Sequence, residues 1–248
     1  LFFCVMIRRP PGSTPLPYAT LFRSRVVLQR VDGRNWDEVR PTIITPSYQK
    51  FAEGSALIQM GTTKVLCAAS LEERVPAFMR GQGKGWVTAE YDMLPRSTST
   101  RNSRDRDAGR PSGRSQEIQR LIGRALRAVT DLDALGERTV QIDCDVLEAD
   151  GGTRTASITG AYVALYQALN MLVKQQILPR LPLRSAVAAV SVGIMDDGCL
   201  LDLCYQEDFG AKADFNVVLT DRGDVVELQG AAEAEPFPRQ MLEQVLAL

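Results

Sequence analysis

Apolar and polar residues alternate with period two from Ala56 to Met60 and from Thr63 to Ser70, and the two runs flank Gly61-Thr62, which predicts a β-hairpin. Trp86 to Leu94 reads as another strand. The period then changes. From Gln116 to about Val129 the apolar residues Ile118, Leu121, Ile122, Ala125 and Leu126 share one face at helical spacing, with Ser115 placed to cap the first turn. Val140, Ile142, Cys144 and Val146 alternate as a strand, and Ile158, Ala161, Tyr162, Leu165, Leu169 and Leu172 then stripe a long helix. Further on, Val187 to Met195 and Cys199 to Tyr205 read as a hairpin around Asp196-Asp197-Gly198, and Phe215 to Leu219 pairs with Val225 to Leu228 across Asp221-Arg222-Gly223. Strand pairs alternating with long helices predict an α+β architecture built as a two-layer sandwich. Met241, Leu242, Val245, Leu246 and Leu248 continue at helical spacing to the last residue, so a final helix is expected there.

The composition adds little to this picture and removes several alternatives. The chain has 248 residues, 45% hydrophobic and 24% charged, enough to bury a core without staples. The five cysteines, Cys4, Cys67, Cys144, Cys199 and Cys204, form no Cys-x-x-Cys pair and fall mostly in apolar runs, which suits free thiols, a cytoplasmic location and no zinc site. Leu1 to Ile7 is apolar but precedes Arg8 and Arg9, the reverse of a signal peptide, and is too short to span a bilayer, so no membrane association is expected. Residues 1–25 are set apart as foreign to the fold, and 26–248 are taken as one catalytic domain cut short in its last helix. There is no histidine, so an imidazole base and the serine and cysteine triads that use one are excluded. Gly81 to Gly85 is glycine-rich but lacks the order of a nucleotide P-loop and precedes a strand.

Charge matters locally. The formal net charge is −1, so bulk electrostatics would not draw the chain to a polyanion, yet Arg96, Arg101, Arg104, Arg106, Arg110 and Arg114 crowd one polar stretch. Arginine suits bidentate phosphate contacts and stacking on bases, so this stretch is either a solvated charged loop or a grip for a single-stranded nucleic acid. Downstream, Ala149-Asp150-Gly151-Gly152-Thr153-Arg154-Thr155 joins a strand to a helix. Free N–H groups at a helix N-terminus attract anions, and glycines let the backbone approach a phosphate oxygen, although many such junctions serve only to turn the chain. Asp202, Glu207, Asp208 and Asp214 cluster between two predicted strands, where carboxylates either hold a hard divalent ion or are turn formers.

Four blocks together resemble the ribonuclease PH family in order and spacing: Gly81 to Trp86, Leu94 to Asn102, Glu117 to Arg124 and Ala149 to Gly160. The resemblance runs from about Val26 to the last residue. It implies a ribosomal protein S5 domain 2-like fold and a phosphate-dependent 3′-to-5′ exoribonuclease that trims tRNA precursors and releases nucleoside diphosphates. It also implies that Arg114, Gly152, Thr153 and Arg154 bind inorganic phosphate, that Arg96, Arg101 and Arg104 hold the RNA strand, and that Asp208 and Asp214 are the active-site aspartates that bind Mg²⁺. A homo-hexamer arranged as a trimer of dimers is the implied assembly. Where the family usually has histidines, this chain has Phe51 and Ser99. The competing expectation is a non-catalytic RNA-binding ring subunit of an exosome-like assembly, which shares the fold but loses the site residues.

Overall fold

A computed structural model describes residues 30–103, 112–233 and 235–248, so the expectations for residues 1–25 and for Arg104 lie outside the described residues. Along the chain run β1 (Thr42–Pro46), β2 (Gly54–Met60), β3 (Thr63–Glu72), β4 (Trp86–Met93), α1 (Gly113–Val129), α2 (Leu132–Leu135), β5 (Thr139–Glu148) and α3 (Thr153–Lys174). They are followed by β6 (Val187–Met195), β7 (Gly198–Leu201), α4 (Tyr205–Gly210), β8 (Ala213–Thr220), β9 (Val225–Ala232) and α5 (Arg239–Ala247). The strands form a five-stranded sheet in the order β1-β2-β3-β5-β4 and a four-stranded sheet in the order β7-β6-β8-β9. In the first sheet only β4 and β5 run parallel, because α1 and α2 carry the chain back between them. The second sheet is antiparallel throughout.

The alternating residues behave as the pattern requires. Ile58, Val65, Cys67, Val87, Val140, Ile142 and Val146 all turn to the core of the first sheet and are fully buried. The apolar stripe of α1 lies on β4, while α3 packs on β2, β3 and β5 and also reaches β6 and β8 of the second sheet. That double contact explains why α3 is buried nearly all round. Ala156, Ile158, Ala161, Ala164, Leu165 and Leu169 are wholly buried, and burying each Leu or Ile contributes about 1.5–3 kcal/mol. The helix is long and apolar enough to cross a membrane, but its apolar window is mostly inside the fold, as suits a core helix. Its N-terminus opens where the two sheets meet.

Three local expectations are corrected. The cap of α1 is Ser112, whose Oγ accepts the Ser115 N–H at 3.1 Å; Ser115 itself is buried in the first turn. Arg114 therefore belongs to the helix instead of preceding it. The strand expected to reach Tyr205 ends at Leu201, because Asp202 adopts a left-handed backbone with φ of 54° and α4 begins at Tyr205. Asp208 accordingly stands on a short helix, capped by a hydrogen bond from the Cys204 N–H to the Glu207 carboxylate at 3.1 Å. Cys67, Cys144, Cys199 and Cys204 are buried free thiols.

Candidate active site

The phosphate-loop expectation rests on what Gly151 and Gly152 do between β5 and α3. Both have positive φ, 72° and 64°, which side chains with a Cβ rarely adopt. At Gly151 there is also no room, since a Cβ would stand 2.5 Å from the Leu203 carbonyl oxygen. Gly152 is the N-cap of α3 and no side chain caps the helix. Its first-turn N–H groups are thus available to an anion, with the positive end of a long helix dipole behind them. Thr153, the first residue of the helix, is buried, and its hydroxyl accepts from the Tyr91 hydroxyl at 2.9 Å. Arg154 is half-buried, and its Nε is inaccessible and without a hydrogen-bond partner. A buried guanidinium N–H in that state is costly unless a ligand meets it.

Around this loop lies an open cleft of about 1120 Å³, lined by Gly152, Thr153, Arg154, Arg114, Asp208 and Asp214 among others. Phosphate-loop, α1, α4 and β8 residues that are distant in sequence therefore converge. The electrostatics agree. Partial desolvation, and then the Asp214 charge, lift the Asp208 carboxyl above the ordinary carboxylate range, opposed by Arg114 and Arg154. None of Arg114, Arg154, Asp208 and Asp214 has an ion-pair partner among the described residues. Two carboxylates that repel each other beside unpaired cations suit a site completed by a ligand. No group of three or more metal-ligating side chains occurs among the described residues; Asp208 and Asp214 offer two carboxylates, the oxygen donors a hard cation takes, and any such ion would draw the rest of its shell from water and phosphate oxygens.

The acidic cluster of the sequence divides in two. Asp202 and Glu207 do not face the cleft. Asp202 is fully buried, with Oδ1 2.7 Å from Arg40 Nη2 and Oδ2 accepting Arg40 Nε at 3.0 Å and the Arg40 backbone N–H at 2.7 Å. Glu207 accepts Arg30 Nε at 2.8 Å and Arg30 Nη2 at 2.7 Å in a two-pronged pair. Burial raises the Glu207 carboxyl, but Arg30, the Cys204 N–H and Arg34 together outweigh it and hold the group below its usual range. Arg40 also donates to the Asp150 carbonyl, and the Asp150 carboxylate accepts the Tyr205 N–H at 3.0 Å and the Thr62 hydroxyl at 2.7 Å. These bonds tie the phosphate loop to the start of α4 and the turn between β2 and β3. A metal role for Asp202 and Glu207 is thereby replaced by a structural one.

Arg96 and Arg101 are exposed and do not line the cleft, although Thr98, Asn102 and Ser103 of the same segment do. The segment is held in place: Asn102 N donates to the Pro95 carbonyl at 2.8 Å, and Ala149 N, just before the phosphate loop, donates to the Ser97 carbonyl at 2.8 Å. Sequence reasoning missed Tyr91, Arg30 and Arg40. Tyr91 sits on the buried face of β4 with Val87 and Ala89, where alternation announces only a core residue. Buried arginines far along the chain from their carboxylates leave no local signal at all.

Residues 38–171 match the model of the 3′ exoribonuclease family, domain 1, and residues 185–248 match that of domain 2. The chain belongs to the 3′ exoribonuclease family. Proteins named ribonuclease PH from two strains of Dehalococcoides mccartyi are 59% and 60% identical to it over 221 residues, covering 89% of this chain and 92% of each relative. Among solved structures, the Archaeoglobus fulgidus exosome with RNA bound to the active site has a TM-score of 0.74 at 24% identity, covering 88% of this chain and 87% of that one. Rice Rrp46 has a TM-score of 0.70 at 20% identity, covering 88% and 91%. These two establish the shared exoribonuclease-family fold, while the bacterial relatives carry the family assignment to close range.

Proposed function

We infer that this chain is a phosphorolytic 3′-to-5′ exoribonuclease of the ribonuclease PH type, acting as a tRNA nucleotidyltransferase on the 3′ ends of tRNA precursors. The observation that carries the reading is the meeting, in one cleft, of an open helix N-terminus, unpaired Arg114 and Arg154, and unpaired Asp208 and Asp214. High identity to ribonuclease PH supports it. The same unpaired groups argue against a non-catalytic ring subunit, which has no use for repelling carboxylates beside an anion pocket.

In this reading inorganic phosphate occupies the pocket at Gly152, Thr153 and Arg154, with Arg114 closing on it from α1. A phosphate oxygen attacks the last phosphodiester phosphorus. The P–O3′ bond breaks, the 3′-oxygen leaves on the shortened RNA and takes up a proton, and the terminal nucleotide departs as a nucleoside diphosphate. Phosphate is already anionic at neutral pH, so the absence of histidine is no obstacle; the demand is to bring two anions together. Arg114, Arg154 and the α3 amides lower that repulsion at the attacking group. Asp208 and Asp214 would hold Mg²⁺, which supplies positive charge to the developing oxyanions. Arg96, Arg101 and Arg104 grip the strand that leads into the cleft. Exposed Phe51, Phe78 and Phe209 suit burial in a homo-hexamer built as a trimer of dimers, and the buried free thiols suit the cytoplasm.

The test is a 3′-tailed RNA incubated with the protein, with and without inorganic phosphate. Degradation that needs phosphate and yields nucleoside 5′-diphosphates is expected. Nucleoside monophosphates formed in phosphate-free buffer would refute the proposal.

A further inference from the structure

Tyr91 belongs to no block that points to phosphate or RNA, yet it backs the phosphate loop. The residue is 3% exposed, and its hydroxyl reaches the cleft wall, where it lies 2.9 Å from Thr153 Oγ1. A buried phenol must find a partner, and this one donates to a hydroxyl that lies at the anion pocket. Because Thr153 Oγ1 accepts in that bond, its own hydrogen remains to be given elsewhere. No protein acceptor takes it among the described residues. Without that bond the threonine hydroxyl is free to rotate between giving its hydrogen to an anion and turning a lone pair toward it.

We propose that Tyr91 is a positioning residue for the inorganic phosphate co-substrate, holding the Thr153 hydroxyl so that its hydrogen points into the cleft. The inference rests on the phosphorolytic reading above. It requires Tyr91 to stay protonated, and it does. Burial pushes its hydroxyl above its usual range, against the opposing pull of the Thr153 hydrogen bond and the Arg114 and Arg154 charges. The structural alternative is that Tyr91 merely fills the core under β4 and satisfies its hydroxyl on the nearest oxygen.

Steady-state kinetics of Tyr91→Phe, Thr153→Val and the double variant separate the two, with phosphate and RNA varied in turn. Loss of the orienting bond leaves the Thr153 hydroxyl competent in only some of its rotamers and is expected to raise the phosphate KM by about two- to threefold in Tyr91→Phe, with the RNA KM unchanged. The double variant should be no worse than Thr153→Val, since the tyrosine acts only through that hydroxyl. Thr153→Ser keeps the hydroxyl and should keep the sensitivity to Tyr91→Phe, a comparison that holds even in a background of lowered stability. An unchanged phosphate KM in Tyr91→Phe, or effects that multiply in the double variant, would overturn the proposal while leaving phosphorolysis standing. Degradation by the wild type without phosphate would remove the phosphorolytic reading itself.

Discussion

Asp202 and Asp208 are near neighbours in sequence and the same residue type, and the molecule uses them in opposite ways. Asp202 is enclosed with Arg40 and Arg34, and beside it Glu207 is enclosed with Arg30. Asp208 faces Asp214 across a cleft with Arg114 and Arg154 nearby, and none of the four is ion-paired among the described residues. With Asp32 paired to Arg34 at 2.7 Å, the first cluster has three arginines matched by three carboxylates and sits against the phosphate loop; the other has charges left over and lines the cleft. Burying ions is costly unless they are matched, so the first cluster defines geometry. Unmatched charge in a cleft is a cost to folding that only a ligand relieves, which is how a binding site differs from a brace.

The largest expected effect lies in the matched cluster. Arg40→Met leaves Asp202 with a buried charge and removes the donor to Asp150, and it should cost about 3–5 kcal/mol of unfolding free energy, measured by urea denaturation at neutral pH. A loss below about 1 kcal/mol, the range of a surface pair, would break the distinction. Next come Asp208→Asn and Asp214→Asn, each expected to lower kcat by about 10²–10³-fold while the melting temperature stays level or rises. Unchanged turnover in both would remove the carboxylates from the chemistry.

Smaller effects sharpen the comparison. Arg96→Ala and Arg101→Ala, exposed and outside the cleft, should each reduce the log–log salt slope of single-stranded RNA binding by about 0.7 without changing the phosphate KM. The pH response should differ in sign between the clusters. Glu207 has a depressed folded pKa, so its stabilisation is complete above its unfolded value of about 4.5 and is lost as pH falls through the lower folded value. Asp208 has a raised folded pKa, so its charged form opposes folding and acid relieves that cost. Glu207→Gln should therefore flatten the acid limb of the stability profile, whereas Asp208→Asn should steepen it slightly.

How much of this was legible in the sequence follows from the range of the interactions involved. The hairpin at Gly61-Thr62, the stripe of α1 and the Gly151 to Arg154 junction declare themselves through neighbours a few residues away, and each is found where the pattern places it. Helix α4 does not, because the Asp202 backbone turn that creates it is fixed by Arg40, far earlier in the chain. The same holds for the division of the carboxylates: Asp202, Glu207, Asp208 and Asp214 look alike until Arg30 and Arg40 claim the first two. Tyr91 carried the alternation of a core strand, and only its hydroxyl's partner reveals a second role. Family resemblance named Arg114, Gly152, Thr153, Arg154, Asp208 and Asp214, which share the cleft, and Arg96 and Arg101, which do not line it, and was silent on the brace beneath.

Thermal unfolding with and without phosphate tests the contrast most directly, comparing the wild type with Arg154→Gln and Arg40→Met. A ligand at 100 times its Kd stabilises by about 2.7 kcal/mol, and the wild type should gain this much. Without phosphate, Arg154→Gln should melt at least as high as the wild type, because Arg154 makes no ion pair among the described residues, and phosphate should stabilise it far less. Arg40→Met should melt well below both even before phosphate is added. If Arg154→Gln is instead as unstable as Arg40→Met and still responds fully to phosphate, then Arg154 is a structural cation and the division of the site into brace and binding pocket is wrong.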